Sequence, residues 1–94
     1  TGKQKSFLRG LGQKLEPVVM VGKEGVTPTV VQSAREAIKK RELIKVRVLQ
    51  NCMDEPEDAI TVLAERADVN VVQVIGRNGL LYKRNFEKTK IELP

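Results

Sequence analysis

Ninety-four residues and 10.5 kDa make a single domain, 1–94, with 40% hydrophobic residues to build a small core. The absence of histidine and the presence of one cysteine, Cys52, exclude imidazole bases, nucleophile–histidine pairs, His- or Cys-built zinc sites and internal disulfides, and point to a reducing compartment, the cytoplasm. The net charge of +5 is uneven: residues 1–47 carry eleven basic and four acidic side chains (+7), residues 48–94 six and eight (−2), so a polyanionic partner is expected.

Thr1-Gly2-Lys3-Gln4 has the form of a capping box, and the missing initiator Met is read as a chain processed or trimmed before Thr1. Phe7, Leu8, Leu11 and Leu15 recur at helical spacing and predict a helix near residues 3–14, with Lys5 and Arg9 on the side away from that stripe. Gly10 and Gly12 each weaken this helix by about 1 kcal/mol relative to Ala and permit close packing against a sheet. Pro17 ends it. Val18-Val19-Met20-Val21 is apolar throughout and β-branched at three positions, which predicts a strand buried on both faces. It is also the longest apolar run, far short of the roughly 20 residues a membrane helix needs, and no signal-peptide pattern precedes it.

Gly22-Lys23-Glu24-Gly25 follows as a loop, and Thr27-Pro28 reads as the N-cap and first position of a second helix with the stripe Val30, Val31, Ala34, Ala37 and Ile38. Arg35 and Lys39 project from another face of it. Ile44, Val46 and Val48 alternate with Lys45, Arg47 and Leu49 as a second strand. Asp54 and Glu57 around Pro56 signal a helix start, and Ile60, Leu63, Ala64 and Ala67 give that third helix its apolar face. Val71, Val72, Val74 and Ile75 form a third strand, Asn78-Gly79 a hairpin turn, and Leu80 to Arg84 a fourth strand. The remainder, Asn85 to Pro94, is polar, with Phe86, Ile91 and Leu93 as anchors. The order α-β-α-β-α-β-β describes a compact α/β domain with a mixed four-stranded sheet.

Among chemistry-bearing groups, the Gly22–Gly25 loop stands between a strand and a helix N-terminus. Glycines there let a backbone approach a phosphate, free N–H groups and the helix dipole favour an anion, and Lys23 adds a point charge that Glu24 opposes. A plain strand-to-helix turn is the competing reading. The carboxylates Asp54, Glu55, Glu57 and Asp58 read as cap and dipole complements and not as a metal or nuclease site. Cys52 reads as a small buried apolar residue or a loop thiol. Phe7, Tyr82 and Phe86 are too few for a sheet platform that stacks bases, and Tyr82 reads as a packing residue.

Pro17-Val18-Val19-Met20-Val21-Gly22-Lys23-Glu24-Gly25-Val26-Thr27 resembles the signature of the CRM (chloroplast RNA splicing and ribosome maturation) domain, whose stand-alone bacterial form is YhbY-like. Arg41-Glu42-Leu43-Ile44-Lys45-Val46-Arg47-Val48, Val72-Gln73-Val74-Ile75-Gly76-Arg77 and Leu81-Tyr82 match in order, as do Thr1–Lys5 and Ile91–Pro94, so the resemblance spans essentially the whole chain. It implies a fold similar to the C-terminal domain of translation initiation factor three with an added N-terminal helix, sheet order 1-2-4-3 and strand four antiparallel to the rest. It also implies binding of structured RNA through a GxxG loop and nearby basic residues, and association with precursors of the large ribosomal subunit. Carried onto this chain, the loop is Gly22, Lys23, Glu24 and Gly25, with Glu24 the poorest match.

The expected function is therefore a non-enzymatic RNA-binding module acting in large-subunit assembly, with structured precursor ribosomal RNA and pre-ribosomal particles as partners. No catalytic residue, cofactor, metal, membrane or small-molecule substrate is expected. The candidate contacts are the Gly22–Gly25 loop together with Lys5, Arg9, Arg35, Lys39, Lys45 and Arg47. The rival is a protein-interaction module whose basic surface serves only solubility.

Overall fold

A computed structural model describes residues 2–84; Thr1 of the capping box, the anchors Phe86, Ile91 and Leu93, and the closing match Ile91–Pro94 lie outside the described residues. The elements are α1 (Gly2–Gly12), β1 (Pro17–Val21), α2 (Pro28–Arg41), β2 (Leu43–Val48), α3 (Pro56–Ala67), β3 (Asn70–Ile75) and β4 (Asn78–Tyr82). They form one four-stranded sheet of order β1-β2-β4-β3. β1 pairs with β2 in parallel, and β4 pairs antiparallel with both β2 and β3. This is the order and the strand sense that the family resemblance implied.

The sheet separates two apolar layers. On one face α2 and α3 supply Ala34, Ile38, Ile60, Leu63 and Ala64, which meet Val19, Val21, Ile44, Val46, Val48 and Leu81 from the strands. Ile44, Ile60, Leu63 and Leu81 are fully buried, each contributing about 1.5–3 kcal/mol relative to an exposed side chain. Cys52 is buried in this layer as the small apolar residue expected. On the opposite face α1 lays Leu8 against Leu43, Val72, Leu80 and Tyr82, with Leu15 at the margin.

Helix α2 begins as its sequence dictates: Thr27 has extended backbone, its Oγ1 accepts from the Val30 N–H at 3.1 Å, and Pro28 follows. Helix α3 departs from expectation. Its N-cap is Glu55, whose side chain makes no capping bond, so Glu57 and Asp58 in the first turn serve the helix only through its dipole.

Three other expectations are corrected. β1 is not buried on both faces, because it is an edge strand that α1 does not cover; Val19 and Val21 are buried, whereas Val18 and Met20 are 42% and 52% exposed. The hairpin turn is Gly76-Arg77, not Asn78-Gly79. Gly76 supplies the positive φ, +57°, at the first turn position, as a type II′ turn requires. Asn78 and Gly79 instead open β4, which ends at Tyr82 and not Arg84. Gly79 is a strand glycine for steric reasons, since a Cβ there would stand 2.6 Å from Ile60 Cδ1.

Candidate nucleic-acid interface

Helix α1 covers only part of its side of the sheet, over Leu43, Tyr82 and Val72. Beyond it, toward the C-terminal ends of β1 and β2, the pairing register sets Met20, Arg47, Asn78 and Ile75 in one row across the four strands. Arg47 is exposed, and Ile75 is 63% exposed. One row back stands Lys45, paired with Leu80. Arg9 of α1 joins Lys45 on the wall of a hollow between helix and sheet. Arg9 thus flanks the sheet. Lys5, one turn earlier on α1, is exposed.

The Gly22–Gly25 segment continues from β1 at the same end. It is a β-turn closed by the Gly25 N–H donating to the Gly22 carbonyl at 3.0 Å, with Lys23 and Glu24 at the exposed tip and Gly25 at φ +73°. Only glycine takes that φ without strain. The local backbone offers fewer anion donors than the sequence suggested. The Gly25 N–H closes the turn, the Thr27 N–H donates to the Gly25 carbonyl, Pro28 has none, and Thr27 caps that of Val30. The positive charge at the turn comes from Lys23.

The space behind the turn, against α3, is a cleft of about 320 Å³ into which Glu24, Asp54 and Asp58 face beside Arg66. The Arg66 guanidinium donates to the Val26 carbonyl at 2.8 Å and anchors the segment after the turn. Three carboxylates make that side hostile to phosphate, while the exposed sheet on the other side carries cations.

Arg35 and Lys39 are not gathered with the rest. They belong to α2, on the opposite face of the sheet from α1. The Arg35 Nη2 is engaged, donating to the Arg66 carbonyl at 2.8 Å, where it ties α2 to the last turn of α3. Tyr82 is 7% exposed and packs in the layer under α1, so it presents no ring for stacking. Burial raises its phenol pKa above the usual 10, and the nearby Glu42 charge adds to the rise.

Arg77 has a role that spacing and composition did not reveal. From the hairpin turn, its Nε and Nη2 donate to the carbonyls of Val48 and Leu49 at 2.8 and 2.6 Å. Leu49 in turn donates its N–H to Val21, the residue before the turn glycine. The sole hint in the sequence was its place in the Val72–Arg77 match to the family.

The family model of the CRS1/YhbY (CRM) domain matches residues 1–83. The chain is 45% identical over 94 residues to "Probable RNA-binding protein YqeI" of Bacillus subtilis, covering all of this chain and 98% of that protein. It is 39% identical over 92 residues to an RNA-binding protein of Haemophilus influenzae, covering 98% and 92% of the two. The solution structure of the Staphylococcus aureus protein SAV1595 superposes with a TM-score of 0.82 at 38% identity, over all of this chain and 98% of that one. On sequence and fold together, the chain belongs to the CRS1/YhbY (CRM) domain family.

Proposed function

We propose that this protein binds structured RNA without transforming it, using the exposed part of the sheet and the Gly22–Gly25 turn as one surface. The observation that carries this reading is the separation of charge across the turn: Arg9, Lys45 and Arg47 on the exposed sheet, against Glu24, Asp54 and Asp58 behind the turn. A polyphosphate backbone laid on the first side releases counterions; on the second it meets like charge. Names given to the relatives in Bacillus subtilis and Haemophilus influenzae as RNA-binding proteins support the same partner.

The RNA we assign is a precursor of the large-subunit ribosomal RNA, met on pre-ribosomal particles in the cytoplasm. This finer assignment rests on the family resemblance. A sucrose gradient of cell lysate prepared at low salt should place the protein with free or immature large subunits, and crosslinking followed by sequencing should recover precursor ribosomal RNA. A protein found wholly in the soluble fraction, with no ribosomal crosslinks, overturns the assembly role. The RNA reading is tested separately by titrating one folded RNA at several salt concentrations. Affinity should fall steeply with salt, and the triple variant Arg9→Ala, Lys45→Ala, Arg47→Ala should flatten the slope by about three, one for each phosphate no longer neutralised. An unchanged slope overturns the sheet surface.

A further inference from the structure

We infer that the hollow between α1 and the sheet seats one unpaired nucleobase of the bound RNA, an inference that rests on the RNA reading above. The hollow has a volume of about 150 Å³. That is room for on the order of five waters and below the ~300–1,000 Å³ that drug-sized ligands occupy. It suits a single flat ring system and excludes a folded nucleotide with its sugar and phosphate.

The lining matches that guest. Its apolar part is Leu80, buried at the back under α1, and Ile75, 63% exposed, on which a base face can lie. Among the described residues its charged groups are Arg9 and Lys45, with no carboxylate on the wall, so the phosphates on either side of an extruded base meet cations at the rim. Three side-chain amides, Gln13, Gln73 and Asn78, complete it. Each amide carries both donors and an acceptor, the complement a base edge needs. Among the described residues, none of the three is committed to another hydrogen bond within the protein. A set of uncommitted amides around an apolar surface beside two cations is suited to reading a base, whereas a contact with backbone alone needs only the cations. Sequence-reading proteins meet RNA bases mainly where they are unpaired and splayed from the helix. The guest is therefore a bulged or loop base, and the low aromatic content is no obstacle, because Ile75 and the Arg9 guanidinium replace aromatic rings.

The glycine at the end of α1 makes the hollow possible. A Cβ on Gly12 would overlap the Leu80 side chain, so the helix end sits directly on that residue and forms the back wall.

The test uses three RNA hairpins with the same stem, each closed by a non-nucleotide linker so that the loop offers no base: one fully paired, one with a single-nucleotide bulge, and one with an abasic site at the bulge. Binding of each is measured by fluorescence anisotropy at one salt concentration. The parent should prefer the bulged hairpin by about tenfold, within the range of a good base contact, and should bind the abasic and paired hairpins alike. Gln73→Ala should lose much of that preference while keeping the parent's affinity for the paired hairpin, and Asn78→Ala should lower the preference as well. Gln13→Ala, at an exposed position that carries little of the fold, should reduce the preference in the same direction. Equal binding of bulged and paired hairpins by the parent overturns the inference and leaves the RNA-binding surface standing. So does a preference that survives in the abasic hairpin, which would report bending and not a base, or one that survives in all the variants. Failure to bind any of the three hairpins overturns both readings.

Discussion

From the turn between β3 and β4, Arg77 Nη2 donates to the Leu49 carbonyl at 2.6 Å, just past the end of β2. Nε reaches the Val48 carbonyl at 2.8 Å, and the Val48 N–H donates back to the Arg77 carbonyl at 2.7 Å. The hairpin tip is thereby locked to β2. Through the Leu49 N–H on the Val21 carbonyl, the lock extends to the strand that leads into Gly22. A hydrogen bond from a charged group contributes about 1.5–3 kcal/mol, and here the guanidinium is partly buried. Arg77→Ala should cost about 2 kcal/mol, a fall in Tm of roughly 8–16 °C. Arg77→Lys should recover less than half, because an ammonium cannot fork to two carbonyls. Thermal melts check both, and an Ala variant melting with the parent would show that the lock adds nothing.

The two α1 glycines should answer oppositely to the same substitution. A Cβ at Gly10 meets nothing within 4 Å among the described residues, so Gly10→Ala should stabilise the protein by about 0.5–1 kcal/mol through helix propensity. A Cβ at Gly12 runs into the Leu80 side chain, which is only 5% exposed and has little room to yield. Gly12→Ala should destabilise by about 1–3 kcal/mol, the usual range for overpacking. Urea unfolding of the two variants side by side gives the comparison, and equal midpoints would contradict this packing.

The helices were legible in the sequence because their apolar stripes and caps are local signals: Thr27-Pro28 caps α2, and the Ile60–Ala67 stripe packs as read. Edges were not legible. Val18 to Val21 looks like a central strand by composition, and only the sheet order, which depends on long-range pairing, reveals that one face is uncovered. Asn78-Gly79 carries a strong turn signal, yet Gly79 is needed where Ile60 of α3 presses on β4, and Gly76 took the turn. The same long-range cause divides the site. Lys23, Arg9, Lys45 and Arg47 were readable as cations, but that Arg35 lies across the sheet, tied to the Arg66 carbonyl, is a product of helix packing.

The Tyr82 hydroxyl is buried without a hydrogen-bond partner among the described residues. A buried hydroxyl in that state costs about 1–3 kcal/mol of desolvation, so Tyr82→Phe should be neutral or stabilising by about 1 kcal/mol at neutral pH. The phenol adds a pH dependence whose sign follows from its raised pKa. The folded state holds the proton more tightly than the unfolded chain, so this contribution is intact below the unfolded pKa of about 10 and is lost as pH rises through the folded value. Alkaline unfolding curves should therefore fall more steeply for the parent than for Tyr82→Phe above about pH 10. Parallel curves, or a Phe variant that melts well below the parent, would show that the hydroxyl has a partner.

The loop variants separate a phosphate contact from a plain turn. Lys23 stands exposed at the tip between two glycines, and the turn's own N–H groups are largely committed, so its ammonium is the chief attraction for phosphate there. Lys23→Ala should weaken binding to different RNAs by similar factors and lower the salt slope by about one, as a backbone contact does. Gly25→Asp should do more. It adds a carboxylate on a Cβ that stands 3.5 Å from the Asp54 Oδ2, on the side already acidic, at a φ of +73° that strains the backbone by about 1–2 kcal/mol. A thermal melt must first show that this variant is folded at the assay temperature. Arg35→Ala is the contrasting control: it breaks the bond to the Arg66 carbonyl on the far side of the sheet, and should lower stability slightly while leaving the salt slope unchanged. Should Lys23→Ala and folded Gly25→Asp both bind as the parent does at equal salt, the turn serves only to connect β1 to α2. Arg9, Lys45 and Arg47 would then hold the RNA without it.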